Sequence, residues 1–183
     1  MKLTSNNVVG LIVDPQEKIV PAMSNPSKFV TYLHFLLRGL DVHKVPLVLT
    51  RQYPKGLGNF VEPIVSFAEG AKVFDKTSFS CLDEPTIREY FENDARSYVL
   101  LAGIETHICV QQTAFDLLDL GKKVVLIADC VDSRRQFDSE IALNELSKLG
   151  IRILTAESVL FELTRKSEAP EFKAISKLAK ELK

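Results

Sequence analysis

Tryptophan is absent from the 183-residue chain, and methionine, histidine and cysteine are scarce, at two, three and three copies. The odd count of cysteines, Cys81, Cys109 and Cys130, gives no closed disulfide scaffold, and a chain this long and apolar needs none; free thiols point to a reducing, cytoplasmic setting. His34, His43 and His107 show no ligand spacing, so no metal is expected. Neither sign of charge is in excess: 23 basic and 24 acidic residues leave a net charge of -1. No electrostatic field therefore draws the chain to nucleic acid, an anionic membrane or a strongly acidic partner. No apolar run reaches the ~18 residues of a membrane span, and the start, MKLTSNNVVG, lacks the pattern of a cleaved leader.

What is present is enough apolar material, 46% of residues, to bury a sizeable core. Six short runs rich in Val, Ile and Leu, at 8–13, 46–50, 71–74, 98–102, 123–128 and 151–154, are nearly continuous rather than alternating. Strands covered on both faces require that pattern. Helix-compatible segments separate most of them, which predicts an α/β protein with a parallel sheet between helical layers. Residues 26–41 carry Phe29, Leu33, Leu36, Leu37 and Leu40 at helical spacing, behind Asn25 as cap and Pro26 at the first helical position. Between 106 and 121, Val110, Ala114, Leu117 and Leu118 share one face, and Gly121 ends the helix. Residues 138–149 follow suit with Ile141, Leu143, Leu146 and Leu149 apolar and Gly150 as the stop. The last segment, 170–183, is amphipathic through Phe172, Ile175, Leu178 and Leu182, and docks on its own domain or on a neighbouring subunit. No repeat or linker divides the chain, so residues 1–183 read as a single domain.

The carboxyl ends of parallel strands share one edge, and the loops leaving that edge build the site. Past the first run comes Asp14, in LIVDPQ; past the third come Asp75 and Lys76, in VFDKTSFS; past the fourth comes Cys109, in LLAGIETHICV. A free thiol titrates near ~8.5 and needs a base or a positive field to act as a nucleophile. Asp14 is a candidate base, and Lys76 would keep that carboxylate ionised and offset a thiolate. With Thr106 as helix cap, Cys109 falls in the first turn, where unpaired N–H groups and the helix dipole favour an anion. The backbone N–H groups of Glu105 and Cys109 are candidate oxyanion donors.

Each residue has a second reading: Asp14 as a turn residue before Pro15, Lys76 as a solvated charge, Cys109 as a small buried hydrophobe. Their common edge favours the catalytic one. Cys81 has no evident partner, and Cys130 follows Asp129 just past the fifth run; both read as structural. Gln16, Gln52, Tyr53, Phe79, His107 and Arg134 are candidates for a pocket wall, with Arg134 suited to an anionic group and His107 also read as a packing residue. The rival functions are a catalytically silent scaffold or binding protein and a thiol-reactive redox protein.

LIVDPQEKIVP, KTSFS and GIETHICV, followed by a helix and VVLIADCVDSR, resemble the first strand, lysine loop and cysteine elbow of the isochorismatase-like hydrolase superfamily, over nearly the whole chain. TRQYPKGLG is similar to the branch of isochorismatase domain-containing proteins, which includes relatives described as ribonucleases of the MAR1 type. The resemblance implies a three-layer α/β/α, Rossmann-like sandwich with a six-stranded parallel sheet in the order 3-2-1-4-5-6. It implies a catalytic triad of Asp14, Lys76 and Cys109, and a cis peptide between Ile104 and Glu105 ahead of the elbow helix. It also implies a homo-oligomer that hydrolyses a small-molecule substrate, commonly at an amide C–N bond, through a cysteine thioester and without a cofactor. Nicotinamidase-like relatives carry an Asp-x-His metal motif after the second strand, where this chain has Thr50, Arg51, Gln52 and Tyr53. A nuclease is not expected, because no basic stripe or aromatic platform of the kind that binds single strands is present.

Overall fold

The computed structural model describes residues 2–182. Strands β1 (Val8–Val13), β2 (Leu47–Gln52), β3 (Lys72–Lys76), β4 (Tyr98–Ile104), β5 (Lys123–Asp132) and β6 (Arg152–Leu154) form one sheet in the order β3-β2-β1-β4-β5-β6, with all neighbours parallel. The helices are α1 (Pro26–Val42), α2 (Pro54–Leu57), α3 (Pro85–Asn93), α4 (Gln111–Asp119), α5 (Gln136–Lys148), α6 (Ala156–Thr164) and α7 (Phe172–Glu181). In register, Ile12 of β1 faces Leu49 of β2 and Ala102 of β4.

The strands read as continuous apolar runs because each alternate face has its own core. Val8, Ile12, Leu100 and Ala102 pack with Phe29, Leu33 and Leu36 of α1, Leu160 of α6 and Ile175 of α7. Val9, Leu11, Val13 and Leu101 pack with Ile87 and Phe91 of α3, Ala114 and Leu117 of α4 and Leu146 of α5. Burying one such large side chain is worth about 1.5–3 kcal/mol. Asn25 caps α1, its side chain accepting from the Lys28 N–H at 3.2 Å, with Pro26 at the first position. Helix α7 buries Ile175 and Leu178 against α1 and α6, so the C-terminal segment docks on its own chain; Lys183, the end of the expected 170–183 helix, lies outside the described residues.

Several sequence expectations shift. Helix α5 starts at Gln136 and buries Ser139, Ala142 and Leu146, while Ile141 and Leu149 are each 52% exposed. Small residues prevail on the inner face because α5 runs close to the turn after β4, where the Ser139 hydroxyl donates to Thr106 Oγ1 at 2.9 Å. Strand β5 continues through Asp132, so Asp129 and Cys130 lie inside it rather than past it. Its carboxylates tie down other elements: Asp129 accepts from the Ala156 N–H at the start of α6, and Asp132 accepts from the Ser24 hydroxyl and the Asn25 N–H. Helices α3 and α6 are short, and no apolar periodicity announced them.

Candidate active site

The first and fourth strands are neighbours whose following chains diverge, so their carboxyl ends open a crevice at the switch point of the sheet. Asp14 ends β1 in a left-handed conformation, φ 53°, and is fully buried. Its backbone N–H is shared between the carbonyl oxygen and the hydroxyl of Thr50, at 3.2 and 3.3 Å, and the Thr50 hydroxyl donates to Oδ1 at 2.7 Å. Close approach of β4 makes this corner: a Cβ on Gly103, at φ 120°, would lie 2.2 Å from the Val13 carbonyl oxygen. Gly103→Ala is therefore expected to cost about 3 kcal/mol of strain and overpacking together, seen as a lower midpoint in urea unfolding.

Lys76 is the last residue of β3, rather than lying past the strand, and its side chain turns inward. Its ammonium stands 2.7 Å from Asp14 Oδ2 and donates to Gln52 Oε1 at 2.6 Å and to the carbonyl oxygens of Ser78 and Phe79 at 3.1 and 3.3 Å. The contact with Oδ2 lies off the hydrogen-bonding direction, so that oxygen has close charge but no aligned donor. The loop supplying the carbonyls is pinned by Glu84, whose Oε1 accepts from the backbone N–H groups of Thr77 and Ser78. These bonds hold the Glu84 carboxyl below its ordinary value.

Cys109 lies in a π-helical turn, Thr106–Val110, between β4 and α4. The Ile108 and Val110 N–H groups both donate to the Glu105 carbonyl oxygen. The Ile104–Glu105 peptide is cis. Thr106 does not cap the helix: it lies inside the turn, and its hydroxyl accepts from Ser139. The cap position falls to Glu105, whose carboxylate is spent elsewhere, accepting from the Arg134 backbone N–H at 2.9 Å and Nε at 3.1 Å. Cys109 keeps its place in the first turn, close enough to Asp14 and Lys76 for their charges to bear on its thiol.

Burial pushes the Cys109 thiol up to about 12; the Lys76 charge opposes this, and Asp14 adds to it. Burial likewise raises the Asp14 carboxyl, against the Lys76 charge and the hydrogen bond from Thr50. For Lys76, burial disfavours the charge, but the adjoining Asp14 and thiol groups outweigh it and hold the ammonium above its ordinary value. The site thus sets the Asp14 carboxyl against the Lys76 ammonium at 2.7 Å beside a thiol whose ionisation burial opposes. Desolvation of this corner opposes the thiolate that Lys76 and the helix start favour.

The remaining wall candidates divide. Gln16 is fully buried and spends its amide on backbone, donating to the Gln52 and Gly58 carbonyls and accepting from the Gln52 N–H. Gln52 and Phe79 hold Lys76, and the Phe79 ring, like Tyr53, is more than half exposed beside it. His107 contacts Ser133 through Nδ1 at 2.9 Å and Asp138 through Nε2 at 3.6 Å. Arg134 pairs with Glu105 through Nε, leaving its terminal nitrogens toward solvent. Arg51 pairs with Asp75 at 2.7 Å and stacks over Phe60. Among the described residues, no group of three or more His, Cys, Asp or Glu is placed to hold a metal, and no helix is long and apolar enough to cross a membrane.

Sequence reasoning missed Thr50, which shares the same sheet edge but carries no titratable group to attract notice. It also placed Cys81 apart from the site, whereas the Cys81 thiol donates to Thr50 at 3.9 Å. Cavity size does not mark the site: a cavity of about 800 Å³ opens at the opposite edge, lined by Asn6, Lys72, Phe74, Tyr90 and Arg96. One of about 360 Å³ adjoins the lysine loop, lined by Tyr53, Lys55, Thr77 and Glu84. Cys109 is 7% exposed against 2% for Lys76 and none for Asp14.

The sequence profile of the isochorismatase domain matches residues 9–158. The chain belongs to the isochorismatase family. Isochorismatase domain-containing protein 2 of Danio rerio is 38% identical over 177 residues, covering 97% of this chain and 89% of that protein. With isochorismatase domain-containing protein 1 of the same species the identity is 39% over 168 residues, covering 91% of this chain but only 59% of that protein. Among solved structures, the MAR1 ribonuclease from Caenorhabditis elegans superposes with a TM-score of 0.88 at 32% identity, covering 97% of this chain and 92% of that one. The YcaC gene product from Escherichia coli, described as an octameric hydrolase of unknown specificity, superposes at 0.86 with 18% identity, covering 100% and 98%, and speaks for the fold alone. The isochorismatase profile ends within α6, so α7 adds to the matched region a helix that covers α1 and α6.

Proposed function

We propose that this isochorismatase-family chain acts as one domain and is a cysteine hydrolase of a small amide or related metabolite, with Cys109 as nucleophile, Asp14 as base and Lys76 as the fixed counter-charge. The observation that carries the reading is the buried Asp14–Lys76 contact at 2.7 Å, with the nearly buried Cys109 close enough to feel both charges. Because the thiol is neutral at rest, ionisation accompanies attack: sulfur bonds to the carbonyl carbon as its proton passes to Asp14. The carbonyl oxygen takes up the negative charge, facing the N–H groups of Glu105 and Cys109 as donors; one such donor is worth ~3 kcal/mol in the transition state. Asp14 returns the proton to the departing amine, leaving a thioester. Water then adds, giving its proton to Asp14, and the acid leaves as the thiol is restored. Every group used belongs to the chain, and no cofactor enters.

Phe79 and Tyr53 offer apolar contact at the lysine loop, and the free Arg134 nitrogens suit a polar or anionic substituent. Helix α5 exposes Phe137 and Ile141, one turn apart, which supports a homo-oligomer; the free thiols support a cytoplasmic protein, and the balanced charge favours neither nucleic acid nor membrane partners. Rapid quenching during turnover of a panel of small amides is expected to show an acyl adduct on Cys109 by mass, with neither adduct nor product in Cys109→Ala. An unlabelled thiol and no product over the whole panel would leave a silent scaffold instead.

A further inference from the structure

Thr50 is fully buried at the centre of the site, and the chemistry above gives it no task. Its hydroxyl has one proton and two lone pairs. The proton goes to Asp14 Oδ1 at 2.7 Å. One lone pair faces the Asp14 backbone N–H at 3.3 Å, and the other the Cys81 thiol at 3.9 Å. Cys81 is itself fixed, fully buried with its backbone N–H donating to Thr113 Oγ1 at 2.9 Å. With both lone pairs occupied, the hydroxyl has no freedom to turn and accept a proton from Oδ1. It donates whether Asp14 is charged or not, which leaves Oδ2, the oxygen without an aligned donor, as the place for an arriving proton.

We infer that Thr50, locked in orientation by Cys81, is a positioning residue that makes Oδ2 the proton-carrying oxygen of Asp14 and stabilises the ionised carboxylate through Oδ1. The inference rests on Asp14 being the base. It explains why the proton is handed on: on Oδ2 it lies against the Lys76 ammonium, 2.7 Å away, and is held weakly until a leaving group takes it. Hydrogen bonds from Thr50 are among the influences that lower the Asp14 carboxyl against the larger effect of burial.

The test is the pH profile of Cys109 alkylation by iodoacetamide, which needs no knowledge of the substrate. Thr50→Val keeps the shape and removes the donor, so its acid limb is expected about one pH unit higher, the worth of a hydrogen bond to a charged group. Below the limb this means about ten-fold slower labelling. Thr50→Ser, which keeps the donor, is expected to follow wild type. Cys81→Ala frees the hydroxyl to rotate and is expected to shift the limb the same way by less; it carries the test if Thr50→Val does not fold. A Thr50→Val profile superimposed on wild type, or Thr50→Ser displaced as far as Thr50→Val, overturns the inference. Asp14→Asn separates the two levels: no change there removes the base assignment itself, whereas a change there with none in Thr50→Val removes only the role of Thr50.

Discussion

Lys76→Met is expected to destabilise the fold by about 3–5 kcal/mol, the usual cost of leaving a buried charge without its partner. Asp14 has no water to turn to, and Lys76 provides its close counter-charge. The same substitution strips a donor from Gln52 Oε1 and from the Ser78 and Phe79 carbonyls, so the lysine loop loosens as well. Turnover is expected to fall by about 10³-fold or more, since the site loses the charge that offsets a thiolate. Adding Asp14→Asn to Lys76→Met removes the stranded charge, and the double variant is expected to be more stable than Lys76→Met alone, although the three abandoned oxygens prevent full recovery. The penalty for Lys76→Met also shrinks in acid, because the carboxyl, already raised by burial, takes up a proton and no longer needs a counter-charge. Urea unfolding of the four proteins of this cycle, at neutral and mildly acidic pH, gives the coupling directly. A Lys76→Met protein as stable as wild type at neutral pH would mean that the pair contributes nothing to the fold.

That the three groups meet was legible because strand polarity is legible. Continuous runs at 8–13 and 98–102 mark covered parallel strands, and Asp14 and Cys109 follow from where those runs stop. The order of the sheet came from resemblance, since periodicity says nothing about which strands are neighbours. What stayed hidden depends on distances between segments. Thr106 has the right residue type and position for a cap, but Ser139 of α5 claims its hydroxyl from 33 residues away. Ile141 and Leu149 fit a helical stripe, yet the approach of α5 to the elbow favours the small side chains of Ser139 and Ala142 on the buried face. The pull of burial on the Cys109 thiol stayed hidden for a related reason. A nearby lysine and a helix start are visible in sequence, but the desolvation that outweighs them is a property of the assembled core.

That desolvation should also shape stability in alkali. An unfolded thiol ionises near 9.0, whereas burial raises Cys81 to about 11, Cys109 to about 12 and Cys130 well above the ordinary value. A raised native pKa means that the folded state retains a proton the unfolded chain has lost. The stabilisation is complete below about pH 9 and is lost as pH climbs toward the native values. Each thiol then contributes about 1.4 kcal/mol per pH unit to the decline, and three together about 4 kcal/mol per unit between roughly pH 9 and 11. Lys76, raised above 10.5 by its neighbours, adds a loss of the same sign only beyond that value. All other groups are common to wild type and a single variant, so the comparison to make is with Cys130→Ala, which leaves Asp14, Lys76 and Cys109 in place. Its stability deficit is expected to narrow steadily from about pH 8 to about pH 10.5, by roughly 1.4 kcal/mol for each unit above 9. A deficit that stays constant across that range would show the buried Cys130 thiol ionising as easily as a free one, and with it would go its contribution to the alkaline decline.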